Sequence, residues 1–571
     1  MVEQRVSSRP KIAVFSGPTA TIQNTEPLIT SNKAREKYGL PIRRNPGGSA
    51  MRFDALRPQR IAAPVTIYIE QLSAHPLERD SAELYAPPDG YIDSSGVFHK
   101  ERQGPGDVPV YEVVLRPQDG LYPLPYMGRQ VNGQAWEGDG TGPSASAEQC
   151  RQPFYPEASR LFEEIDRLGI GDDGVTCLLS SNADFDFYRA APSGGYKKGL
   201  AEAERMDMGQ GDIPPETLGE EFFPYRPGYL RREPPMAVLA RLTNIVQRAM
   251  ASRQYAGAIW LEGSPFVEET SYWLNLLIDT EVPIVGNASQ RPHGSVSNDG
   301  DRNIIDSVDY IISRIWADGN GRNCVGGVVI QDEQIFTARD VQKGDARPGG
   351  YVATGGHGGI VGTMGQPGPP ALTFKTVKRH TFTSEVNMTH LPESTTGTRR
   401  VGGRNTKVAV RIKDEHGDLV ATAIPKVTIV KHARYLPEDS SGDPAAEVDI
   451  LARIGKNLQE APLAGFVAEG AAPFGSMSNS VDAALKRALL SGMPVVKVGR
   501  GNAEGPVDPQ RDPLAIAGSN LTATKARLLL MACLMRFGSL PLAANPDSPT
   551  QAEIEAVKAK MAEYKEVFET H

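Results

Sequence analysis

The stretch from residue 256 to residue 308 decides the fold, and it reads AGAIWLEGSPFVEETSYWLNLLIDTEVPIVGNASQRPHGSVSNDGDRNIIDSV. It opens with an apolar, β-rich run, Ala256–Leu261, followed by Glu268–Asp279, in which apolar residues recur at helical spacing. A second apolar run, Val282–Gly286, precedes another helical segment, Asn303–Ala317. Short strands separated by helices of this length predict a parallel sheet with right-handed crossovers. A ligand site is then expected at the carboxyl ends of the strands.

The alternation of strands and helices extends in both directions from this stretch. Upstream, Met236–Ala251 has helical spacing, and Lys11–Ser16 predicts a buried strand that ends in a Gly-Pro turn. Downstream, residues 447–537 alternate again and predict a second α/β unit. Between the two units, Lys407–Lys413 and Ala421–Lys431 predict a β-hairpin. The predicted fold class is α/β, with a larger N-terminal parallel-sheet domain and a smaller C-terminal α/β domain.

These patterns divide the chain into three predicted parts. Residues 1–390 form the N-terminal domain, with an insertion at about 73–235; residues 391–435 form a β-rich connector; residues 436–571 form the C-terminal domain. The predicted insertion is rich in proline, glycine and aromatic residues, and it includes a predicted strand at Val175–Ser180. Long irregular segments of this kind are usually functional or act as linkers. We expect it to pack as a lid or subdomain over the site, or alternatively to be a peripheral or oligomerisation element.

Composition restricts the class of function. The chain has 571 residues and a formal net charge of −8, which argues against broad electrostatic binding of nucleic acid. No window approaches the roughly 18 consecutive apolar residues of a membrane helix, and the charged N-terminus is not typical of a signal peptide. We therefore expect a small-molecule partner and neither a nucleic-acid nor a membrane partner. The four cysteines lie far apart without a CxxC pair, which favours reduced thiols in a cytoplasmic protein. They are Cys150, Cys177, Cys324 and Cys533.

The first candidate nucleophile lies in the turn after the first predicted strand, in the segment FSGPTATIQ. A hydroxyl residue in this position, Thr19, is exposed at a strand end with backbone N–H groups close by. Such a place suits a nucleophile whose oxyanion is held by backbone donors. A threonine that only caps a helix or stabilises the turn is the alternative.

The motifs of the central stretch resemble those of the bacterial-type asparaginase/glutaminase family. In that family a strand ends in Gly-Thr-Asp-Thr-x-Glu-Glu-Thr, and Arg-Pro and then Ser-x-Asp-Gly-x-x-Asn follow. Here Gly263–Thr270 reads GSPFVEET, Arg291-Pro292 follows, and residues 297–303 read SNDGDRN. SGPTAT at residues 16–21 is similar to the family's Thr-Gly-Gly-Thr-Ile-Ala, and ARDVQK at residues 338–343 is similar to the segment that ends in its catalytic lysine.

Further segments are also similar to the family. RHTFTSE at residues 379–385 is similar to its His-Thr stretch. GFVAEG, ALKRALLSGMPVVKVGR and LTATKARLLLMACL are similar to parts of its smaller second domain. The resemblance therefore implies an asparaginase-like fold and a closed homo-oligomer, a dimer or a tetramer, in which sites form between subunits.

The resemblance implies amide hydrolysis by double displacement, without a metal or an organic cofactor. Thr19 takes the place of the primary nucleophile, Ser264 that of the second hydroxyl residue, and Lys343 that of the lysine. A lysine acts as a base only where burial or nearby charge lowers its pKa, so we expect Lys343 to be largely desolvated. The residues expected to line the substrate site are Gly17, Gly263, Pro265 and Tyr38.

Two departures from the family pattern bear on the substrate. The family has an aspartate after its second threonine, where this chain has Pro265, which offers neither a carboxylate nor a backbone donor. The family's Gly-Asn-Gly-Asn loop reads GAAPFG here, at residues 470–475. A zwitterionic amino acid needs its charges matched, so the expected substrate is an amide, lactam or imide without that head group. A catalytically silent ligand-binding or assembly protein and an ordinary asparaginase/glutaminase are the alternatives.

Three other motifs contain residue types that occur in binding or catalytic sites. The glycine-rich run at residues 355–359 favours a mobile loop near the site over a phosphate cradle, because no Lys-Ser/Thr signature follows it. Asp184 and Asp186 could ligate a metal, but no histidine or further carboxylate accompanies them. Ser180 and Ser181 lack the context of a catalytic triad.

The assignment of the nucleophile gives the first prediction. Replacing Thr19 by alanine should lower kcat on any amide substrate by several orders of magnitude, because the acyl-enzyme can no longer form. The measurement is release of ammonia or amine, with circular dichroism to verify folding. Activity within tenfold of the unmodified protein would show that Thr19 is not the nucleophile.

Overall fold

The structure is a computed structural model that describes part of the chain. The described residues are 9–17, 29–31, 53–55, 57–60, 65–69, 89–93, 97–115, 121–124, 151–152, 162, 165–166, 177–189, 235–291, 297–354, 358–365, 368–432, 441–471, 474–500, 507–508 and 512–571.

Strands and helices are labelled in chain order within those residues. The strands are β1 Lys11–Ser16, β2 Ile29–Ser31, β3 Phe53–Ala55, β4 Arg57–Arg60, β5 Val65–Ile69, β6 Gly90–Ile92, β7 Phe98–His99, β8 Val108–Leu115, β9 Leu121–Leu124, β10 Arg151–Gln152, β11 Asp184–Arg189, β12 Gly257–Leu261, β13 Ile284–Asn287, β14 Val328–Gln331, β15 Gln334–Thr337, β16 Val341–Lys343, β17 Tyr351–Ala353, β18 Ile360–Thr363, β19 Ala371–Leu372, β20 Ser394–Val401, β21 Arg404–Arg411, β22 Lys426–Lys431, β23 Ala464–Gly470, β24 Val495–Gly499 and β25 Ile516–Ala517. The α-helices are α1 Pro235–Ala251, α2 Val267–Leu277, α3 Gly300–Ser313, α4 Val448–Glu460, α5 Asn479–Leu490, α6 Ala523–Phe537 and α7 Gln551–Thr570.

The main sheet has nine strands in the order β10-β11-β1-β12-β13-β14-β15-β18-β19. Its central strands, β11 to β14 in this order, are all parallel. Ile12 and Val14 face a core that includes residues of α3, whereas Ala13 and Phe15 face the core formed with α1 and α2. A parallel sheet covered by helices on both faces explains why its strands read as continuous apolar runs. The predicted α/β fold class is confirmed.

The second sheet contains four parallel strands in the order β22-β23-β24-β25. Helix α6 packs against β23 and also against α2, so it contacts both α/β units. The first strand of this sheet, Lys426–Lys431, lies inside the predicted connector. The boundary at residue 435 stays a prediction, and the position of β22 favours a boundary before Lys426.

The predicted hairpin between Lys407–Lys413 and Ala421–Lys431 is wrong. Strand β21 pairs antiparallel with β20, the segment before it, and not with β22. Gly402 and Gly403 connect β20 to β21 with φ values of +56° and +80°. Two consecutive residues with positive φ make the tight turn that matches the twist of a hairpin, and glycine adopts it without strain.

The stretch from about 73 to 235 contributes strands to the main sheet. Strand β11 lies beside β1 in parallel register, with Ile12 opposite Phe185, and β10 pairs with β11. The strand predicted at Val175–Ser180 is wrong, because residues 178–182 form a turn. The carboxylate of Asp166 accepts hydrogen bonds from the backbone N–H groups of Leu179 and Ser180 in that turn. This part of the chain is therefore more than a peripheral decoration.

Helix α2 crosses β13 very closely at Gly286. A Cβ atom added to Gly286 would lie 2.2 Å from the Ser271 hydroxyl oxygen and 3.1 Å from Cγ2 of Val329. The crossover from β12 through α2 to β13 therefore depends on the missing side chain.

This close approach gives the second prediction. Gly286→Ala should lower the free energy of unfolding by about 1–3 kcal/mol, because the core is overpacked there. Ser271→Ala in the same chain should recover part of the loss, since it removes the nearest clashing atom. Gly106→Ala is the matched control, because nothing lies within 4 Å of the added atom. Chemical denaturation measures all four proteins, and equal midpoints for the two single glycine variants would contradict the prediction.

Candidate active site

The carboxyl ends of three neighbouring strands form the floor of the candidate site. The N–H of Gly17 donates to the carbonyl of Leu261 at 2.7 Å, and the N–H of Glu262 donates to the carbonyl of Asn287 at 3.0 Å. These bonds continue the pairing of β1, β12 and β13 by one residue. A Cβ atom on Gly17 would lie 2.8 Å from the Trp260 ring and 3.0 Å from the Glu262 carboxyl carbon. Gly17 is thus packed directly against the segment leading to Ser264.

Ser264 lies half-buried just after β12, between buried Gly263 and exposed Pro265. Its hydroxyl oxygen accepts a hydrogen bond from the Tyr351 hydroxyl at 2.7 Å and another from Nε2 of Gln290 at 3.2 Å. Two accepted bonds use both lone pairs of the oxygen. Among the described residues the hydroxyl proton of Ser264 has no acceptor, so it is available to donate to a group that enters the site.

The buried carboxylate of Asp299 positions Gln290. It accepts hydrogen bonds from the backbone N–H groups of Gln290 and Arg291, each at 3.0 Å, and from the Ser289 hydroxyl at 3.2 Å. Asp299 directly precedes α3, so the loop after β13 is tied to the start of the next helix. A fixed loop backbone limits where the Gln290 amide can point.

Lys343 lies opposite Tyr351 in the small antiparallel sheet of β16 and β17. Directly opposed residues in such a pair extend to the same face, so both side chains share one face of this hairpin. The backbone N–H of Lys343 donates to Oε2 of Glu268 at 2.5 Å. The Lys343 residue is only partly buried, whereas we expected it to be largely desolvated, and it is not one of the described hydrogen-bond partners of Ser264.

The hydroxyl of Tyr351 stays protonated over the ordinary pH range. Burial is the main cause that raises its pKa, and the carboxylates of Glu268, Asp299 and Glu262 raise that pKa further. A neutral phenol has a proton to donate, and Ser264 is the acceptor within reach. Tyr351 therefore acts on Ser264 as a hydrogen-bond donor.

Each of the three carboxylates that surround this pair already accepts a hydrogen bond from the protein. Glu262 accepts from Nε1 of Trp260 at 2.7 Å, whereas Glu268 and Asp299 accept from backbone N–H groups. Next to Ser264 the surface is apolar, with Pro265 exposed and Phe266 49% exposed. The surface next to Ser264 therefore offers apolar contact to a substrate, while the three carboxylates are held in place by protein donors.

The structure brings together Gly17, Gly263, Ser264 and Pro265, with Lys343 on the strand beside Tyr351. Thr19 and Tyr38 lie outside the described residues, as does most of the glycine-rich run at 355–359. The sequence reasoning missed Tyr351, Gln290, Asp299 and Glu268 as site residues. Two of them lie in motifs of the central stretch: Glu268 in GSPFVEET and Asp299 in SNDGDRN. Tyr351 can be recognised as a site residue only by its position opposite Lys343 in the hairpin.

The other motifs have structural explanations. Asp186 forms an ion pair with Lys11 at 2.6 Å and accepts a hydrogen bond from Tyr255 at 2.8 Å. In the part of the chain that the structure describes, no group of three or more His, Cys, Asp or Glu side chains could hold a metal ion. Among those same residues, no helix is both long and apolar enough to cross a bilayer.

Comparison with known proteins identifies relatives of the segment that carries the site. Residues 235–356 match the family model described as "Asparaginase, N-terminal". The chain is 34% identical over 133 residues to the glutaminase-asparaginase of Acinetobacter glutaminasificans, which is 23% of this chain and 37% of that protein. It is 30% identical over 106 residues to L-asparaginase 2 of Bacillus subtilis (strain 168), which is 19% of this chain and 27% of that protein. The matches thus span well under half the length of these curated relatives.

A solved structure also aligns with the chain. The probable cytoplasmic L-asparaginase from Campylobacter jejuni aligns over 58% of this chain and 81% of its own, with a TM-score of 0.41 and 21% sequence identity.

Proposed function

We propose that this chain, a member of the asparaginase family by its residues 235–356, is a hydrolase of amide carbon–nitrogen bonds. The observation that carries the proposal is the packing of Gly17 against the segment that leads to Ser264. Thr19 follows Gly17 by two residues, so the chain supplies one hydroxyl residue after each of two adjacent strands. Ligand sites in open parallel sheets form at such strand ends.

The proposed reaction has two displacements at the carbonyl carbon. The Thr19 hydroxyl oxygen attacks the carbon of the amide, its proton passes to the leaving nitrogen, and the C–N bond breaks. An open-chain amide releases ammonia or an amine, whereas a lactam or imide ring opens and keeps its nitrogen in the acyl group. Water then attacks the threonyl ester and releases the acid together with the free threonine hydroxyl. A nucleophile next to backbone donors suits both steps, because the oxyanion that forms in each can be stabilised.

Ser264, Tyr351 and Lys343 supply the second part of the proposed site. The Ser264 proton is directed away from its two donors, so it can bond to the substrate or pass to a base. Lys343 shares a hairpin face with Tyr351, which supports its role as the group that handles protons near Ser264. General acid–base catalysis by a group in this position contributes about 10²–10⁴ in rate.

The proposed substrate is an amide, lactam or imide without an α-ammonium group. The residue after Ser264 is Pro265, which carries no charge and therefore cannot pair with an ammonium group. Because Pro265 is exposed, solvent would screen a charge there, and the lost ion pair costs less than a buried one. The exposed Phe266 offers apolar surface to a bulkier substrate.

Asparagine or glutamine hydrolysis is the second candidate. The printed names of the relatives favour it, since they are an asparaginase and a glutaminase-asparaginase. We also propose a closed homo-oligomer, a dimer or a tetramer, supported by the exposed Phe474 within the apolar loop at residues 470–475.

A panel of amides tests the function and gives the third prediction. We expect kcat/KM to be at least tenfold higher on a neutral amide or cyclic imide than on asparagine or glutamine, because no charge at Pro265 pairs with their ammonium group. Release of ammonia or amine is measured for the open-chain amides and appearance of the new carboxylate for the cyclic imides, with Thr19→Ala as the blank. Efficient turnover of asparagine, at about 10⁴ M⁻¹s⁻¹ or more, would establish the second candidate instead.

Removing the donor to Ser264 gives the fourth prediction. Tyr351→Phe should lower kcat by about 5–100-fold on the best amide of the panel, the effect of one lost hydrogen bond in the transition state. Tyr310→Phe is the matched control: this tyrosine is equally buried, and its hydroxyl has no hydrogen-bond partner among the described residues. Steady-state kinetics should show the control within twofold of the unmodified protein. Equal activity of both variants would remove Tyr351 from the site.

A further inference from the structure

A lysine from the second α/β unit is buried against the segments that carry the candidate site. Lys525 lies in the first turn of α6 and is 1% exposed. Its Nζ donates to the backbone carbonyl of Glu268 at 2.5 Å and to that of Ala338. It also lies 5.2 Å from the centre of the Tyr272 ring. Two of the three ammonium protons are thus donated to backbone carbonyls, and the Tyr272 ring adds a cation–π contact to the charge.

The two carbonyls that accept hydrogen bonds from Lys525 belong to the segment after Ser264 and to the segment before Lys343. Glu268 is four residues after Ser264, and Ala338 is five residues before Lys343. The Glu268 carboxylate links the two segments directly, because it accepts a hydrogen bond from the backbone N–H of Lys343 at 2.5 Å. One buried ammonium and one buried carboxylate thus join both segments to α6.

The charges around Lys525 come from both segments. Burial lowers its pKa, and the carboxylate of Glu268 opposes this most strongly, followed by those of Asp340 and Glu269, while Arg339 lowers it further. Burial likewise raises the pKa of Glu268, although its hydrogen bond from Lys343 and the charge of Lys525 oppose the change. The lysine and the glutamate therefore stabilise each other's charged forms.

We propose that Lys525 is a positioning residue, which holds the segment bearing Ser264 and the segment bearing Lys343 at a fixed separation from within the second α/β unit. The role in catalysis rests on the proposed function, but the geometric role does not. A methionine of similar length fills the same space and offers no proton to either carbonyl, so the two segments are free to shift relative to each other.

Two variants of α6 test the proposal. Lys525→Met removes the clamp, by which we mean the two hydrogen bonds from Lys525 to the carbonyls of Glu268 and Ala338. Arg527→Met is the matched control, because Arg527 lies on the same helix and pairs with Glu269 at 2.7 Å without contacting either carbonyl. Amide hydrogen exchange, read residue by residue, reports the geometry without any need for activity. We expect at least tenfold faster exchange at the amides of residues 341–343 in Lys525→Met, and less than twofold change in Arg527→Met.

Kinetics on the best amide of the panel give the second readout. Lys525→Met should lower kcat at least tenfold per folded molecule with KM within twofold, because substrate still binds while the reacting groups are displaced. Arg527→Met should leave both constants within twofold. Unchanged exchange at residues 341–343 in Lys525→Met, or equal changes in both variants, would overturn the proposal. If the unmodified protein hydrolyses no amide, the proposed function fails, and the exchange data still decide the clamp.

A variant that keeps Lys525 protects the test against misfolding. Glu268→Ala removes the acceptor of the Lys343 amide but leaves the backbone carbonyl that Lys525 holds. It should speed exchange at Lys343 at least tenfold, and the amide of Ala338 should change less than twofold. If Lys525→Met does not fold, faster exchange confined to Lys343 supports the clamp, because Lys525 still holds both segments in Glu268→Ala. Equally faster exchange at Lys343 and Ala338 overturns it.

Discussion

The parallel pairing of β1 with β12 is the interaction on which the candidate site depends. It sets Ile12 opposite Gly257 and ends with the bond from Gly17 to Leu261, so two segments far apart in sequence finish at the same edge. The pairing tolerates no side chain at Gly17, where the Trp260 ring and the Glu262 carboxyl group are already in contact distance. The pairing therefore places Gly17 and the segment that leads to Ser264 at the same edge of the sheet.

Buried charge organises the second level of the site. An isolated ammonium in a protein interior costs several kcal/mol, and a buried carboxylate costs a similar amount. Lys525 and Glu268 meet this cost with charge-assisted hydrogen bonds to backbone groups and with their mutual attraction. Because the partners are backbone atoms of other segments, this polar pair stabilises a particular placement of chain segments as well as the fold. An apolar pair would fill the space without selecting that placement.

The sequence allowed the α/β class and the strands and helices around Ser264 to be predicted, because buried parallel strands are continuous apolar runs separated by helices of regular period. It did not allow the pairing of β20 with β21 to be predicted, since the signal there is the conformation of Gly402 and Gly403 and the strands themselves are polar. Strand β11 was also missed, although its alternation of acidic and aromatic residues is typical of a strand, because Asp184 and Asp186 were considered only as metal ligands.

The candidate site was predictable only as far as local motifs reach. Ser264, Pro265 and the neighbourhood of Lys343 follow from segments that could be matched one at a time. Tyr351 and Lys525 could not be found in that way, because their roles depend on a hairpin partner and on a contact between two α/β units. A lysine within the apolar helix sequence of α6 was the one available sign, and sequence alone does not say which groups it meets.

The position of β1 in the sheet has a consequence for synthesis of the protein on the ribosome. Its two neighbours, β11 and β12, are Asp184–Arg189 and Gly257–Leu261, so both edges of an early strand wait for partners that are made much later. At about 5–20 residues per second, the wait for β12 lasts on the order of 12–50 s. An apolar strand with unpaired edges is prone to join other chains during that time. Cover of these edges, by a chaperone or by the residues between the two strands, would limit such association until β12 emerges.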